Sequence, residues 1–192
     1  MESIAGTQND SVTDAENKKL EQDYRNETGI TFRDSPTALY NHGFFQIILD
    51  REIKRSDRYG ASFSLAFIDI DSFAAYNARY GALKADKLLY HVGEVIASNT
   101  REIDLPARYE ADLFCVIMPE SKAESVAGAI VRIQEKIKTD TGGETTTSAS
   151  IIEYPRDAKN KSDLIKRGRN ALYKAKQGKE EKIYVFKEEE KI

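Results

Sequence analysis

Apolar positions along the chain switch between two periods, and the switches mark out elements. "YNHGFFQIILDREIKRSDRYG" places Phe44, Phe45, Ile47, Ile48 and Ile53 at helical spacing. "ASFSLAFIDIDSF" then alternates through Phe63, Leu65, Phe67 and Ile68, which predicts a buried strand that ends in acids. "GALKADKLLYHVGEVIASNT" predicts an amphipathic helix with Leu83, Leu88, Leu89, Val92 and Val95 inward. "LPARYEADLFCVIMPE" reads as strand, tight turn, strand. "SKAESVAGAIVRIQEKIK" predicts a helix, with Ser121 as N-cap and Glu124 three residues on as a capping box. "TTTSASIIEYP" predicts a strand, "SDLIKRGRNALYKAKQG" a helix capped by Ser162 and ended by Gly178, and "KIYVF" a last strand. The order is a helix followed by β α ββ α β α β. That pattern implies an α/β (α+β) domain: a central, mostly antiparallel sheet flanked by helices.

Composition changes the picture mainly at the N-terminus. Residues 1–33 are polar and acidic, and are expected to be a largely disordered tail with a short helix over "ENKKLEQDYR". Residues 34–187 form the expected domain, and 188–192 a short C-terminal tail. Residues 1–34 carry eight acids against four bases, a net −4 against −3 for the whole chain, so the acidity is concentrated there. Two readings of the tail stand, a solubilising leader and a partner-binding arm. The remainder is nearly neutral, which excludes the global basic footprint of a nucleic-acid binder. No run approaches the length of a membrane span, and the first residues lack the basic start and apolar core of a signal peptide. One cysteine, Cys115, permits no internal disulfide; it reads as a buried small hydrophobe in a cytoplasmic protein.

The candidate chemistry sits at strand ends. "FIDID" ends a strand in Asp69 and Asp71, and "RYEADLF" sets Glu110 and Asp112 in a hairpin turn. Acids from adjacent strands, such as Asp69 with Asp112, can clamp Mg²⁺ against substrate phosphates. The plainer alternative is strand-end acids that bind nothing. Upstream stands "REID", Arg101 to Asp104, which alone reads equally as a surface ion pair.

Taken together, "DSPTALYNHGFF", "DIDSFAAYNARYGALKADKLL", "RYEADLF" and "ALYKAK" resemble the GGDEF domain family of diguanylate cyclases. The resemblance implies a nucleotide-cyclase-like palm with a five-stranded sheet. Active members condense two GTP molecules to cyclic di-GMP in a homodimer, with Mg²⁺ or Mn²⁺. By the family's pattern, Asp69 and Asp112 match metal positions. Asn77 and Asp86 match the guanine-binding pair, Phe73 follows D-I-D, and Lys176 is kept in the late helix. The signature G-G-D/E-E-F, however, stands here as Glu110, Ala111, Asp112, Leu113, Phe114. Glycines would permit positive φ and close approach of backbone to nucleotide. Ala111 adds a Cβ, Glu110 adds a charge that repels a triphosphate, and Leu113 removes a carboxylate. Ala74, Ala82 and Ala85 replace a lysine, a histidine and a glycine of the pattern, and Ser150 stands at a strand glycine. No catalytic residue set is therefore expected, and Asp69 and Asp112 read as vestigial metal ligands.

The R-x-x-D of Arg101 and Asp104 lies where the family has its inhibitory site, and Arg132 falls at the position of that site's helix arginine. Arginine offers a planar fork for phosphate and for the guanine O6/N7 edge, and a carboxylate accepts from the guanine N–H groups. The expectation is an inactive family member that binds cyclic di-GMP through Arg101, Asp104 and Arg132. It would require no cofactor, and Mg²⁺ only alongside residual GTP. It would signal to a protein partner, through the tail or as a ligand-bridged homodimer. Alternatives are a weakly active cyclase, a GTP sensor resting on Asn77 and Asp86, and a nucleotide-independent scaffold.

Overall fold

The computed structural model describes residues 31–178 and 182–187, together with residues 15, 18–23, 25 and 26, which are helical. The expectations for residues 1–14 and 188–192 lie outside the described residues. Asn41 opens helix α1 (His42–Tyr59) by accepting from the Phe44 N–H at 3.0 Å, and Gly60 closes it at φ 69°, a conformation that costs glycine nothing. Strand β1 (Phe63–Ile70) follows, then helix α2 (Phe73–Tyr80), helix α3 (Ala82–Ser98) and the hairpin β2 (Leu105–Glu110) and β3 (Leu113–Pro119). Helix α4 (Ala123–Asp140), strand β4 (Thr147–Tyr154), helix α5 (Lys161–Gln177) and strand β5 (Ile183–Val185) complete it.

The five strands form one sheet in the order β2-β3-β1-β4-β5. All pairs are antiparallel except β4 with β5. Strand β1 is central and all eight of its residues are buried, so both of its faces must be covered. Phe63, Leu65 and Phe67 pack with Phe44, Phe45 and Leu49 of α1 and Leu164 and Leu172 of α5. The alternate residues Ala66, Ile68 and Ile70 pack with Leu88, Val92 and Ile96 of α3 and Ile130 and Ile133 of α4. By the same alternation, Asp69 falls on the α1/α5 face. Cys115 is fully buried, as its apolar strand predicts, and burial pushes its thiol up.

Four expectations are corrected. Helix α2 is additional; none of its residues is buried, so it leaves no apolar stripe to read. Leu83 is 73% exposed; at 100° per residue it lies about 180° around α3 from Val92, off the buried stripe. Ser162 lies inside α5, which is capped instead by the Asn160 side chain accepting from the Asp163 N–H at 2.9 Å. Ser121 does not cap α4; Glu153 of β4 accepts from the Ala123 N–H at 3.0 Å in its place. That exchange pins the start of α4 to the sheet.

Helix α5 is pressed against β1 at one point. A Cβ on Gly168 would lie 2.2 Å from Cε2 of the fully buried Phe67. The Gly168 carbonyl also accepts from the Ser150 hydroxyl at 2.8 Å, so backbone and ring are both fixed there. Gly168→Ala is expected to destabilise the fold by about 1–3 kcal/mol, the cost of overpacking a core that has no slack. Urea denaturation followed by circular dichroism would read this as a lower midpoint at unchanged slope.

Candidate functional site

The first candidate site is the corner where β1 ends against the hairpin turn. Asp69 is the last charged residue of β1, paired across the sheet with Leu113 on one side and Ser148 on the other. Its carboxylate is 2.6 Å from Lys176 Nζ of α5. Burial raises the Asp69 carboxyl above its ordinary range, the Lys176 ammonium opposes this, and the charges of Asp112 and Asp71 add to the rise. Asp112 and Asp71 are thus near enough for their charges to be felt at Asp69. Asp71 lies just past the strand and faces elsewhere: it accepts from Thr146 Oγ1 at 2.6 Å, Ser148 Oγ at 2.7 Å and Lys182 Nζ at 2.7 Å. Asp69 and Asp71 therefore do not act as a pair, because the strand ends between them. Among the described residues, no three His, Cys, Asp or Glu side chains converge as a metal-binding group. Asp71 is committed to its own partners, which leaves Asp69 and Asp112 as the carboxylates that could hold an ion here. Lys176 takes an oxygen of Asp69, and Leu113, 5% exposed, brings no donor.

The turn itself is held without glycine. Neither Ala111 nor Asp112 has positive φ. Instead the register shifts between Arg108 and Glu110, so that Tyr109 is the extra residue of a β-bulge. Arg108 braces the turn, donating to the Ala111 carbonyl from Nε at 2.8 Å and Nη2 at 2.6 Å. Its Nη1 reaches Asp34 at 3.2 Å. Glu110, the charge set against a triphosphate, is paired with Arg169 of α5 at 3.0 Å. Asn77 on α2 and Asp86 on α3 are exposed. Phe73 is partly buried and packs on the second core cluster.

The second candidate site lies at the other end of the sheet. Arg101, Asp104 and Arg132 line one cavity of about 590 Å³, with Met118, Ser125 and Ala129 among its walls. The Arg101 guanidinium is positioned by the protein: Nη2 donates to Asp104 Oδ1 at 2.8 Å, to the Pro119 carbonyl at 3.0 Å and to Ser121 Oγ at 2.7 Å. The Asp104 side chain is fully buried and also accepts from the Arg101 N–H at 2.8 Å. A guanine contact from Asp104 would require it to release Arg101, so the geometry gives it the work of orienting the arginine. Arg132 is exposed on α4, with no hydrogen bond or ion pair among the described residues. Arg101 also borders a second cavity of about 430 Å³, walled by Lys18, Arg33, Tyr40 and Tyr90.

The profile of the family described as "Diguanylate cyclase, GGDEF domain" matches residues 31–182. The chain belongs to the GGDEF domain family. Over 155 residues it is 32% identical to the response regulator PleD of Caulobacter vibrioides, a match covering 74% of this chain and 33% of PleD. It is 27% identical to diguanylate cyclase A of Treponema denticola, covering 76% of this chain and 42% of that protein. The chain thus spans less than half the length of these curated relatives. Among solved structures, the GGDEF domain of DgcB from Caulobacter crescentus in complex with c-di-GMP superposes with a TM-score of 0.75 at 25% identity, over 81% of this chain and 96% of that one. Diguanylate cyclase SiaD in complex with its activator SiaC, from Pseudomonas aeruginosa, gives a TM-score of 0.76 at 25% identity, over 92% and 70%. The cyclase-like α/β palm with its five-stranded sheet is the fold expected from the sequence.

Within this GGDEF domain the structure brings together Arg101, Asp104 and Arg132 in one place, and Asp69, Asp112 and Lys176 in another. It separates Asn77 and Asp86 from both cavities. Sequence reading missed Lys182, Arg169, Asp34 and Ser121 as partners of the site residues. Asp34 and Arg108 did stand in the matched motifs, and that was the available signal.

Asp71 gives a pH test. Burial alone would raise its carboxyl, but Lys182, Thr146 and Ser148 outweigh burial and hold it below the usual range. A depressed carboxyl contributes stability above its unfolded value, near pH 4, that is lost as pH falls through the folded value. Asp71→Asn is expected to lower stability at neutral pH by about 1–3 kcal/mol. It should also flatten the acid limb of the stability curve below about pH 4. Denaturation midpoints measured across that range check both effects.

Proposed function

We propose that this GGDEF domain is a catalytically inactive receptor for cyclic di-GMP, bound in the cavity shared by Arg101 and Arg132. The observation that carries this reading is the contrast between the two ends of the sheet. At one end the signature turn lacks its glycines and second acid, and Lys176 is engaged with Asp69. At the other, two arginines from different elements border one cavity, with Arg101 already oriented by Asp104. The DgcB domain in complex with c-di-GMP supports the ligand's identity by likeness. Guanidinium groups suit a ligand with two phosphodiesters and two guanines, because each offers a donor fork and a stacking plane. No metal is required for binding in this reading. The SiaD–SiaC complex makes a protein partner a natural output. The signal would pass to such a partner, or to a second copy bridged by ligand.

A weak cyclase is the second reading, favoured by the nearness of Asp112 to Asp69 and the exposure of Asn77 and Asp86. Loss of one group aimed at a transition state typically costs about 10²–10³ in rate, so Leu113 alone argues against efficient turnover.

Arg132→Ala is the cleaner binding test, since Arg101→Ala would strand the buried Asp104 carboxylate. Calorimetric titration with cyclic di-GMP should show saturable binding by the wild type, weakened at least about tenfold in Arg132→Ala, as expected for a charged hydrogen bond worth about 1.5–3 kcal/mol. Equal binding by both proteins would sink the site assignment, and no binding by the wild type would sink the receptor. Incubation with GTP and Mg²⁺ should yield no cyclic di-GMP; product that disappears in Asp112→Ala would establish the cyclase instead.

A further inference from the structure

The loop that joins β3 to α4 carries a strained residue beside the Arg101 cavity. Glu120 has φ 50°, in the left-handed region that a Cβ disfavours. Strain of this kind persists only where the surroundings hold it, and it gathers at working sites. Here the two residues that flank Glu120 meet a single nitrogen. Arg101 Nη2 donates to the Pro119 carbonyl at 3.0 Å and to Ser121 Oγ at 2.7 Å. We infer that Ser121 is a positioning residue of this cavity: it acts on the ligand through Arg101, by setting the guanidinium before the ligand arrives. The inference rests on the receptor reading above.

The direction of the hydroxyl supports this first. Arg101 can only donate, and Ser121 Oγ gives its own proton to the Pro119 carbonyl at 3.1 Å, which leaves its lone pairs for the arginine. The serine is also held from behind. It is 6% exposed, and its carbonyl accepts at 2.8 Å from Ser64 Oγ, on a fully buried residue of β1. Glu120 is anchored in turn: its carboxylate accepts from Arg55 Nη1 of α1 at 2.8 Å, and Arg55 Nη2 is held by Glu52 at 2.7 Å. Ser121 is released from capping work, because Glu153 takes the Ala123 N–H. Asp104 and Ser121 then do different things. Asp104 lies three residues from Arg101 and orients it within its own loop. Ser121 and the Pro119 carbonyl tie it across to another segment, the one that leads into α4 and so to Arg132. That tie matters because the Arg101 side chain is 51% exposed, where water competes for its donors.

The test uses the full nucleotide-free chain with nitrogen-15 in its arginines, followed by titration with cyclic di-GMP. In the free wild type the Arg101 Nη2 protons should exchange with water more slowly than those of the exposed Arg132. Ser121→Ala should speed that exchange at least about threefold and weaken cyclic di-GMP binding about threefold to tenfold, the factor for a long side chain that the ligand must order itself. Ser121→Thr keeps a hydroxyl and should restore both. Unchanged exchange in Ser121→Ala would overturn the inference. Weaker binding with unchanged exchange would overturn it too, since the serine would then touch the ligand directly. A measurement that needs no variant guards against misfolding: wild-type Arg101 protons that exchange as fast as those of Arg132 would overturn the inference by themselves. A wild type that binds no cyclic di-GMP would sink the receptor alone, and the exchange rates would still decide whether Ser121 holds Arg101.

Discussion

A strand buried on both faces that ends in carboxylates needs cations at its end, and much of the C-terminal half of this domain meets that need. Strand β1 lies at the centre of the sheet with all of its residues buried. The apolar alternation that feeds two cores also fixes which way Asp69 must face. Burying a carboxylate is costly unless it is paired and hydrogen-bonded. Helix α5 supplies one ammonium, and the parallel strand β5 brings the second with the segment before it. Lys182, just before β5, is tied to Asp71 and Thr146, while β5 itself pairs with β4 and packs Ile183 and Val185 on the second core cluster.

The sheet, its order of elements and the position of the hairpin were legible because they rest on periodicity. Phe63, Leu65 and Phe67 alternate in the sequence as they do in space. Helix α2 was not legible, since only Phe73 and Tyr76 of its eight residues pack on the core and neither is fully buried, which is too little for a stripe. Long-range polar partners were hidden for a different reason. Asp71 and Lys182 are 111 residues apart, and Asp34 and Arg108 are 74 apart, so no local pattern joins them. The two capping expectations failed for separate reasons. Ser121 and Ser162 have the right chemistry for an N-cap, but Arg101 claims the first and Asn160 stands better placed than the second. Of the two candidate sites, the Arg101–Asp104–Arg132 grouping was readable from motif spacing. The engagement of Lys176 with Asp69 was not, because a lysine in a helix says nothing of what it will meet.

The two ends of the sheet differ in how charge is arranged. At the Asp69 end, acids and lysines close on one another. Glu110 and Arg169 do the same at the turn beside it. At the Arg101 end, one carboxylate is fully buried to hold one arginine, while the second arginine extends from α4. The first arrangement is self-contained; the second leaves donors facing an open cavity.

The capping of α4 by Glu153 has a mechanical consequence. Arg101 is tied to the Pro119 carbonyl at the end of β3, and α4 begins a few residues later with its first amide fixed to β4. Arg132 sits midway along that helix, so the two arginines belong to a single stiff frame. That frame fixes where each backbone starts, but only the Arg101 guanidinium is itself held, while the exposed Arg132 side chain is not. A molecule entering the cavity would meet one arginine already set and one still to be ordered, so the entropic cost of closing the site falls on Arg132.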